Sequence, residues 1–180
     1  EKLNFKCELI KNIILKKEEG TTEIDIILIT HVGLYVFEVK NYRGWIFGST
    51  ISKKWTQSFY TGQKEHFMNP IHQNYGHIET LKQMLNEKYP KLNYYSVIVF
   101  TDQATLKQVP STTADLIIEN ESNLNRSLYA SILSEQANQA LIQLSYDDIE
   151  DVFCHLMDYR LFNPIDRKAH IDYLKSIKDK

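Results

Sequence analysis

Two acids and a lysine carry the chemistry this sequence can offer: Asp25, then Glu38-Val39-Lys40. The runs Glu23-Ile24-Asp25-Ile26-Ile27-Leu28-Ile29 and Leu34-Tyr35-Val36-Phe37-Glu38-Val39-Lys40 read as strands joined by a turn at His31-Val32-Gly33. Each run is apolar on both faces, the pattern of a strand buried in a sheet covered on both sides, so a charge inside it needs a reason. Side chains alternate along a strand, which sends Glu38 and Lys40 out of one face roughly 7 Å apart and Val39 out of the other. If the strands pair, Asp25 meets Glu38, and two carboxylates at about 5 Å repel by roughly 3 kcal/mol at an effective dielectric of about 20. A divalent cation would turn that cost into attraction. An acid followed by an acid and a lysine two residues apart is therefore the pattern of a hydrolytic metal site. The plainer alternative is a solvated Glu38-Lys40 ion pair at a strand end, just before Asn41-Tyr42-Arg43-Gly44, which would contribute little. The spacing alone leaves both open.

The elements that must hold these residues follow from pattern. Phe5 to Leu15 alternates lysines with Ile and Leu as an edge strand would, and Glu18-Glu19-Gly20 turns it into the Asp25 strand. Beyond Lys40, Arg43-Gly44 and Gly48-Ser49 are turn signals around a short Trp45-Ile46-Phe47 strand, with Ile51 to Trp55 returning beside it. The pattern predicts a long helix after Pro70, a strongly apolar strand over Tyr94 to Thr101, a shorter strand over Asp115 to Glu119, and helix beyond Ser122. Ser145-Tyr146-Asp147-Asp148 is a capping box that puts Ile149, Val152, Phe153 and Leu156 on one helical face. Asn163-Pro164-Ile165-Asp166 opens a further helix with proline at its first position. The sequence carries no internal repeat, low-complexity segment or clear linker.

On the helix after Pro70, Ile71, Tyr75, Ile78 and Leu85 mark a buried face, and Glu79, Lys82, Gln83 and Glu87 a solvated one. Asn69, Gln73, His77 and Thr80 form a third stripe, polar but uncharged. It suits either a helix flank or a surface facing the carboxylates, with Gln73 bonding a water on the metal or a phosphate oxygen. From Lys40 to Lys64 the charges are Lys40, Arg43, Lys53, Lys54 and Lys64 with no acid, interleaved with Trp45, Phe47, Trp55, Phe59 and Tyr60. Basic groups neutralise phosphates and aromatic faces stack on exposed bases, so Arg43, Lys53, Lys54 and Lys64 are candidate nucleic-acid contacts. The ordinary alternative is hairpin aromatics packed in a core beside solvated lysines. His66, His72 and His77 do not make a zinc site, because His72 and His77 are five apart on a helix and share no face. A phosphate-cradling glycine loop and a Gly-x-Ser-x-Gly elbow are absent, and neither cysteine has a patterned histidine nearby.

Thr22-Glu23-Ile24-Asp25, the run Gly33-Leu34-Tyr35-Val36-Phe37-Glu38-Val39-Lys40-Asn41-Tyr42, Gly44, Trp55, Asn69-Pro70 and Gln73 together resemble the nuclease-related domain, NERD. That family is placed in the PD-(D/E)XK nuclease superfamily. The resemblance runs from about residue 7 to about residue 125, and its motifs are far more specific than the acid pattern by itself. It implies Asp25 and Glu38 as metal ligands and Lys40 as the catalytic lysine. Ile24 stands where the superfamily pattern expects proline, a position that holds no metal. The family's usual Gly-Glu helix ahead of the first strand has no counterpart in a sequence that starts at Glu1, so a further acid upstream stays an open expectation.

Composition bounds the rest. A chain of 180 residues suits one domain, with an appended helical part, and buries roughly 70% of its unfolded surface. A formal charge of -2 argues against coating nucleic acid by bulk charge while leaving room for a local basic groove. Cys7 and Cys154 lack metal-ligand spacing and lie far apart in sequence, which points to reduced thiols in a cytoplasm. No apolar run approaches the roughly 20 residues that span a bilayer. A sequence that begins with Glu1 and shows no signal-peptide pattern reads as a piece of a longer protein, with targeting or partner modules outside it.

The expectation is an α/β fold, a central mixed sheet flanked by helices. It has a restriction-endonuclease-like core over residues 1–121 and a helical C-terminal part over 122–180, packed on or following that core. The expected activity is hydrolysis of phosphodiester bonds dependent on Mg²⁺ or Mn²⁺, with DNA favoured as partner. Asp25, Glu38 and the carbonyl of Val39 would be ligands, with Lys40 and Gln73 in catalytic roles beside them. The rival reading is a nucleic-acid-binding or protein-interaction module that keeps the fold without cleavage. Oligomerisation is left open.

Overall fold

The computed structural model describes residues 6–17, 20–138 and 143–160. Phe5, Glu18-Glu19 and the helix expected at Asn163-Pro164 lie outside the described residues. Within them the chain forms β1 (Glu8–Lys16), β2 (Thr21–Thr30), β3 (Gly33–Lys40), β4 (Gly44–Phe47), β5 (Lys54–Ser58) and β6 (Lys64–Met68). There follow α1 (Pro70–Leu85), β7 (Tyr94–Phe100), β8 (Ala104–Gln108), β9 (Leu116–Asn120), α2 (Glu121–Ala137) and α3 (Tyr146–Asp158).

The strands make two mixed sheets. The larger has the order β1-β2-β3-β7-β9, with β1, β2 and β3 antiparallel and β7 and β9 running parallel to β3. The crossover from β3 to β7 contains α1, as a parallel pair requires. β3 and β7 sit in the interior of this sheet and are covered on both faces, which explains their unbroken apolar runs. On one face Ile24, Ile27, Ile29, Leu34 and Val36 pack with Ile78, Leu81 and Leu85 of α1 and with Ile149, Val152 and Leu156 of α3. On the other, Tyr35, Phe37, Tyr95 and Val97 pack with Leu128 and Ile132 of α2. The Ser145 capping box starts α3 as its sequence specifies. The helices beyond Ser122 therefore complete both faces of the sheet.

The second sheet, in the order β6-β5-β4-β8, was not expected as a separate layer. Its inner residues Ile46 and Trp55 pack on Ile98 and Phe100 of β7 and Ile118 of β9, with Trp55 stacked on Phe100 at 6.2 Å between ring centroids and 5° between planes. The chain passes from one sheet to the other just after Lys40 through Gly44, whose φ is 80° and whose missing Cβ would meet the Ser58 carbonyl oxygen at 2.6 Å.

Two expectations need correction, and two strands were not foreseen. The strand returning beside β4 is Lys54–Ser58, and Ile51 is 88% exposed in the loop before it. β6 and β8 escape a hydrophobic pattern because Lys64-Glu65-His66 and Thr105-Leu106-Lys107 are mostly polar. On α1, Tyr75 is 61% exposed, while Asn74, His77, Thr80 and Leu81 are buried with Ile78 and Leu85. A buried helix face built half from polar residues hides its period from hydrophobicity.

Cys7 and Cys154 are unpaired, and among the described residues no helix is long and apolar enough to cross a membrane.

Candidate active site

The end of β3 carries the site. Glu38 and Lys40 leave the face covered by α1, and Val39 points the other way, 39% exposed. Glu38 is 4% exposed, and each of its carboxylate oxygens is held. Lys40 Nζ donates to Oε1 at 2.5 Å, and His77 Nε2 lies 3.1 Å from Oε2. Gln73, one helical turn before His77, accepts a second Lys40 bond through Oε1 at 3.0 Å. Residues i and i+4 share a helix face, so Gln73 and His77 reach the same pocket. Thr22 on β2 completes the chain of contacts, its Oγ1 2.7 Å from His77 Nδ1.

Asp25 enters from β2. The β2-β3 ladder begins at Ile26-Phe37, which puts Asp25 and Glu38 at the next position of the same register. The β1-β2 ladder runs through Lys11-Ile26 and Ile13-Ile24 and omits Asn12 and Asp25 between them. Asn12 has φ 51°, a left-handed conformation that asparagine tolerates better than most residues. At this break the alternation slips, since Ile10 and Ile13, like Ile24 and Ile27, lie in one core although strict alternation would send them to opposite faces. Breaks of this kind re-aim side chains next to functional sites. Freed from both ladders, Asp25 Oδ2 accepts the backbone N–H of Val39 at 2.7 Å.

The two carboxylates are perturbed in opposite directions. Burial raises the Asp25 pKa above its ordinary value, and the charge of Glu38 adds to that rise against the Val39 hydrogen bond and the Lys40 and His77 charges. Burial also works to raise Glu38, but the His77 hydrogen bond and the Lys40 charge and hydrogen bond outweigh it and hold its pKa below the ordinary value. A cation beside Asp25 would relieve both its burial and its repulsion.

Among the described residues no group of three or more His, Cys, Asp or Glu side chains is assembled for a metal. Two carboxylates suit Mg²⁺ or Mn²⁺ nonetheless, because a hard cation that keeps several waters and takes substrate phosphate oxygens needs only one or two. Each Glu38 oxygen that accepts one hydrogen bond still has a second acceptor site. The donor set fits.

The remaining candidates separate. Asn69 is fully buried and structural: its Oδ1 accepts the Ile71 N–H, and its Nδ2 donates to the carbonyls of Ser49 and Ser52 at 3.1 and 2.8 Å. Thr80 bonds back to the Gly76 carbonyl and stays out of the site. Arg43 is exposed in the turn after Lys40, with its guanidinium 5.7 Å from the Phe59 ring centroid. Lys53, Lys54 and Lys64 are exposed on the second sheet and its approach. Trp55 is a core residue, as the ordinary alternative for the aromatics holds.

His77 was not singled out as a partner of Glu38, nor Thr22 as a partner of His77; the signal for His77 was its place four residues after Gln73. Asn74, which donates to the Val36 carbonyl and to Ser96 Oγ at 2.8 Å each, gave no signal, because its neighbour Tyr75 looked like the buried residue.

A mixed sheet with an acid on one strand and Glu-x-Lys at the end of the next agrees with comparison to known proteins. The profile of the nuclease-related domain (NERD) matches residues 1–101, and the chain belongs to that family. An uncharacterized protein of Bacillus anthracis, pXO1-01, is 28% identical over 167 residues, covering 92% of this chain and 73% of its own. A crystal structure of a protein of unknown function, AF1548, aligns over 97% of this chain and 91% of its own at 9% identity, with a TM-score of 0.36. A likeness of that degree carries no argument.

Proposed function

We propose that this domain is a nuclease that hydrolyses phosphodiester bonds in DNA with Mg²⁺ or Mn²⁺. The observation that carries the reading is the convergence of Asp25, Glu38 and Lys40 with Gln73 at the end of β3, in a member of a nuclease-related family. Asp25 and Glu38 would hold the cation, with the Val39 carbonyl as a further oxygen. When bound, it would supply Lewis-acid stabilisation of charge on the attacked phosphate. Lys40, steered by Glu38 and Gln73, places a fixed positive charge where the phosphate gains negative charge and donates to an attacking water. Gln73 limits where the ammonium can go and keeps an amide N–H₂ to offer a phosphate oxygen. His77 fixes the plane of the Glu38 carboxylate. Arg43, Lys53, Lys54 and Lys64 are proposed as phosphate contacts outside this pocket, and a reducing cytoplasm as the setting.

A second reading, a binding module without cleavage, is favoured by one observation: Lys40 and His77 already satisfy both Glu38 oxygens without a metal. A gel assay on linear, circular and single-stranded substrates with Mg²⁺, Mn²⁺ or EDTA separates the two. The nuclease reading expects cleavage with either cation and none in EDTA. Intact substrates under every metal condition would leave the binding module.

A further inference from the structure

The second sheet has an inner face packed on Phe100 and Ile118 and an outer face that no described helix covers. Alternation places Trp45 and Phe47 of β4 on the outer face, opposite Ser58 and Thr56 of β5, while Ile46 between them goes to the core. Neither outer ring joins any of the three cores. Trp45 instead meets Tyr60, which is 79% exposed, edge to face at 5.2 Å, and Lys107 of β8 lies with Nζ 5.8 Å from the centroid of the Trp45 ring. Lys64 pairs with Ser58 and Lys54 shares the parity of Thr56, so both extend the same face. Outward positions of these four strands carry no acid, since Glu65 pairs with Gln57 on the opposite parity.

We propose that the outer face of the β6-β5-β4-β8 sheet is a binding platform for single-stranded nucleic acid, with Trp45 and Phe47 stacking on bases and Lys54, Lys64 and Lys107 meeting phosphates. Aromatic rings left on a sheet face, ringed by lysines and free of carboxylates, complement a ligand that presents flat apolar faces along a negative backbone. A duplex keeps its base faces stacked inside and offers such a surface only phosphates. Stacking contributes about 1–3 kcal/mol per base and tolerates any sequence. Each lysine-phosphate contact adds a salt-dependent term. Asn41-Tyr42-Arg43 lead from Lys40 at the end of β3 straight into β4, so a strand held on the platform has its flank close, in chain terms, to Lys40. It goes beyond cleavage and does not depend on it.

The test is fluorescence anisotropy of the full chain with a labelled single strand of about 12 nucleotides and its duplex, both in EDTA so that nothing is cut. The wild type is expected to bind the single strand more tightly than the duplex, and Trp45→Leu to weaken single-strand binding by about tenfold while leaving duplex binding unchanged. Lys54→Ala with Lys107→Ala is expected to reduce the salt slope by about one to two units. Circular dichroism confirms that each variant folds. Equal single-strand affinity for wild type and Trp45→Leu, an unchanged salt slope in the lysine variant, or no binding of either nucleic acid would overturn the platform. Intact substrates in the Mg²⁺ and Mn²⁺ gel assay with single-strand binding present would count against the nuclease reading alone.

Discussion

His77 on α1 lies 3.1 Å from Glu38 on β3, and the tautomer of the ring follows from that contact. An ionised carboxylate only accepts hydrogen bonds, so Nε2 carries the hydrogen. When the ring is neutral, Nδ1 then accepts from the Thr22 hydroxyl 2.7 Å away, and when it is charged Nδ1 donates to it. Helix and sheet thus fix one carboxylate between them, as outer partners orient the ligands of a metal site.

Replacing His77 tests that role. His77→Leu should destabilise the fold by about 1–3 kcal/mol, since it leaves Glu38 Oε2 without its buried donor. Cleavage should fall with it. His77→Gln, whose amide can still donate, should recover part of both; equal defects in the two variants would show that His77 serves packing alone. Thermal melts and single-turnover rates measure the two effects.

Asp25→Asn should stabilise the metal-free protein at neutral pH by about 1 kcal/mol or less, once solvent screening is allowed for. Asparagine keeps an oxygen for the Val39 N–H and removes the repulsion from Glu38. The sign with pH is fixed by the direction of the shift. The Asp25 pKa is raised on folding, so its destabilising effect is present above the folded pKa and disappears as pH falls below the unfolded value. Glu38 runs the other way: its contribution to stability is present above the unfolded pKa and lost as pH falls through the depressed folded one. The mutant's advantage should therefore vanish in acid, and denaturant melts across that range read it. The same variant should lose the thermal shift on adding Mn²⁺.

Asn69→Ala should cost about 2–3 kcal/mol, because it removes the α1 cap and leaves the carbonyls of Ser49 and Ser52 without their donor. Asn69→Asp keeps the cap and loses the donors, so a urea titration of the pair apportions the two effects. Full stability in Asn69→Ala would remove this residue as the link between the Ser49-Ser52 loop and the helix.

Much of the core was legible because β2, β3 and β7 are apolar on both faces, which in a mixed sheet means burial and nothing else. The acids and Lys40 stood out against that background for the same reason. What stayed hidden had weak hydrophobic contrast. β6 and β8 are short and polar, and α1 buries Asn74, His77 and Thr80, so its inner face does not look like one. The slip at Asn12 and Asp25 is a backbone event with no residue-type signature beyond an asparagine in a strand. The roles of His77 and Thr22 depend on contacts 39 and 55 residues apart in sequence, which no local spacing encodes.

Two neighbours on one strand face, Lys40→Met and Glu38→Gln, compared by calorimetric Mn²⁺ binding and single-turnover DNA cleavage, separate metal ligand from catalyst. Lys40→Met keeps the stem and drops the charge, so metal binding should persist while cleavage falls by about 100-fold or more, roughly 3 kcal/mol of transition-state stabilisation. Glu38→Gln should lose both, because a neutral amide is a far weaker ligand for a hard cation. Wild-type cleavage by Lys40→Met would contradict the account and leave the Lys40-Glu38 contact as an ion pair that holds a strand end.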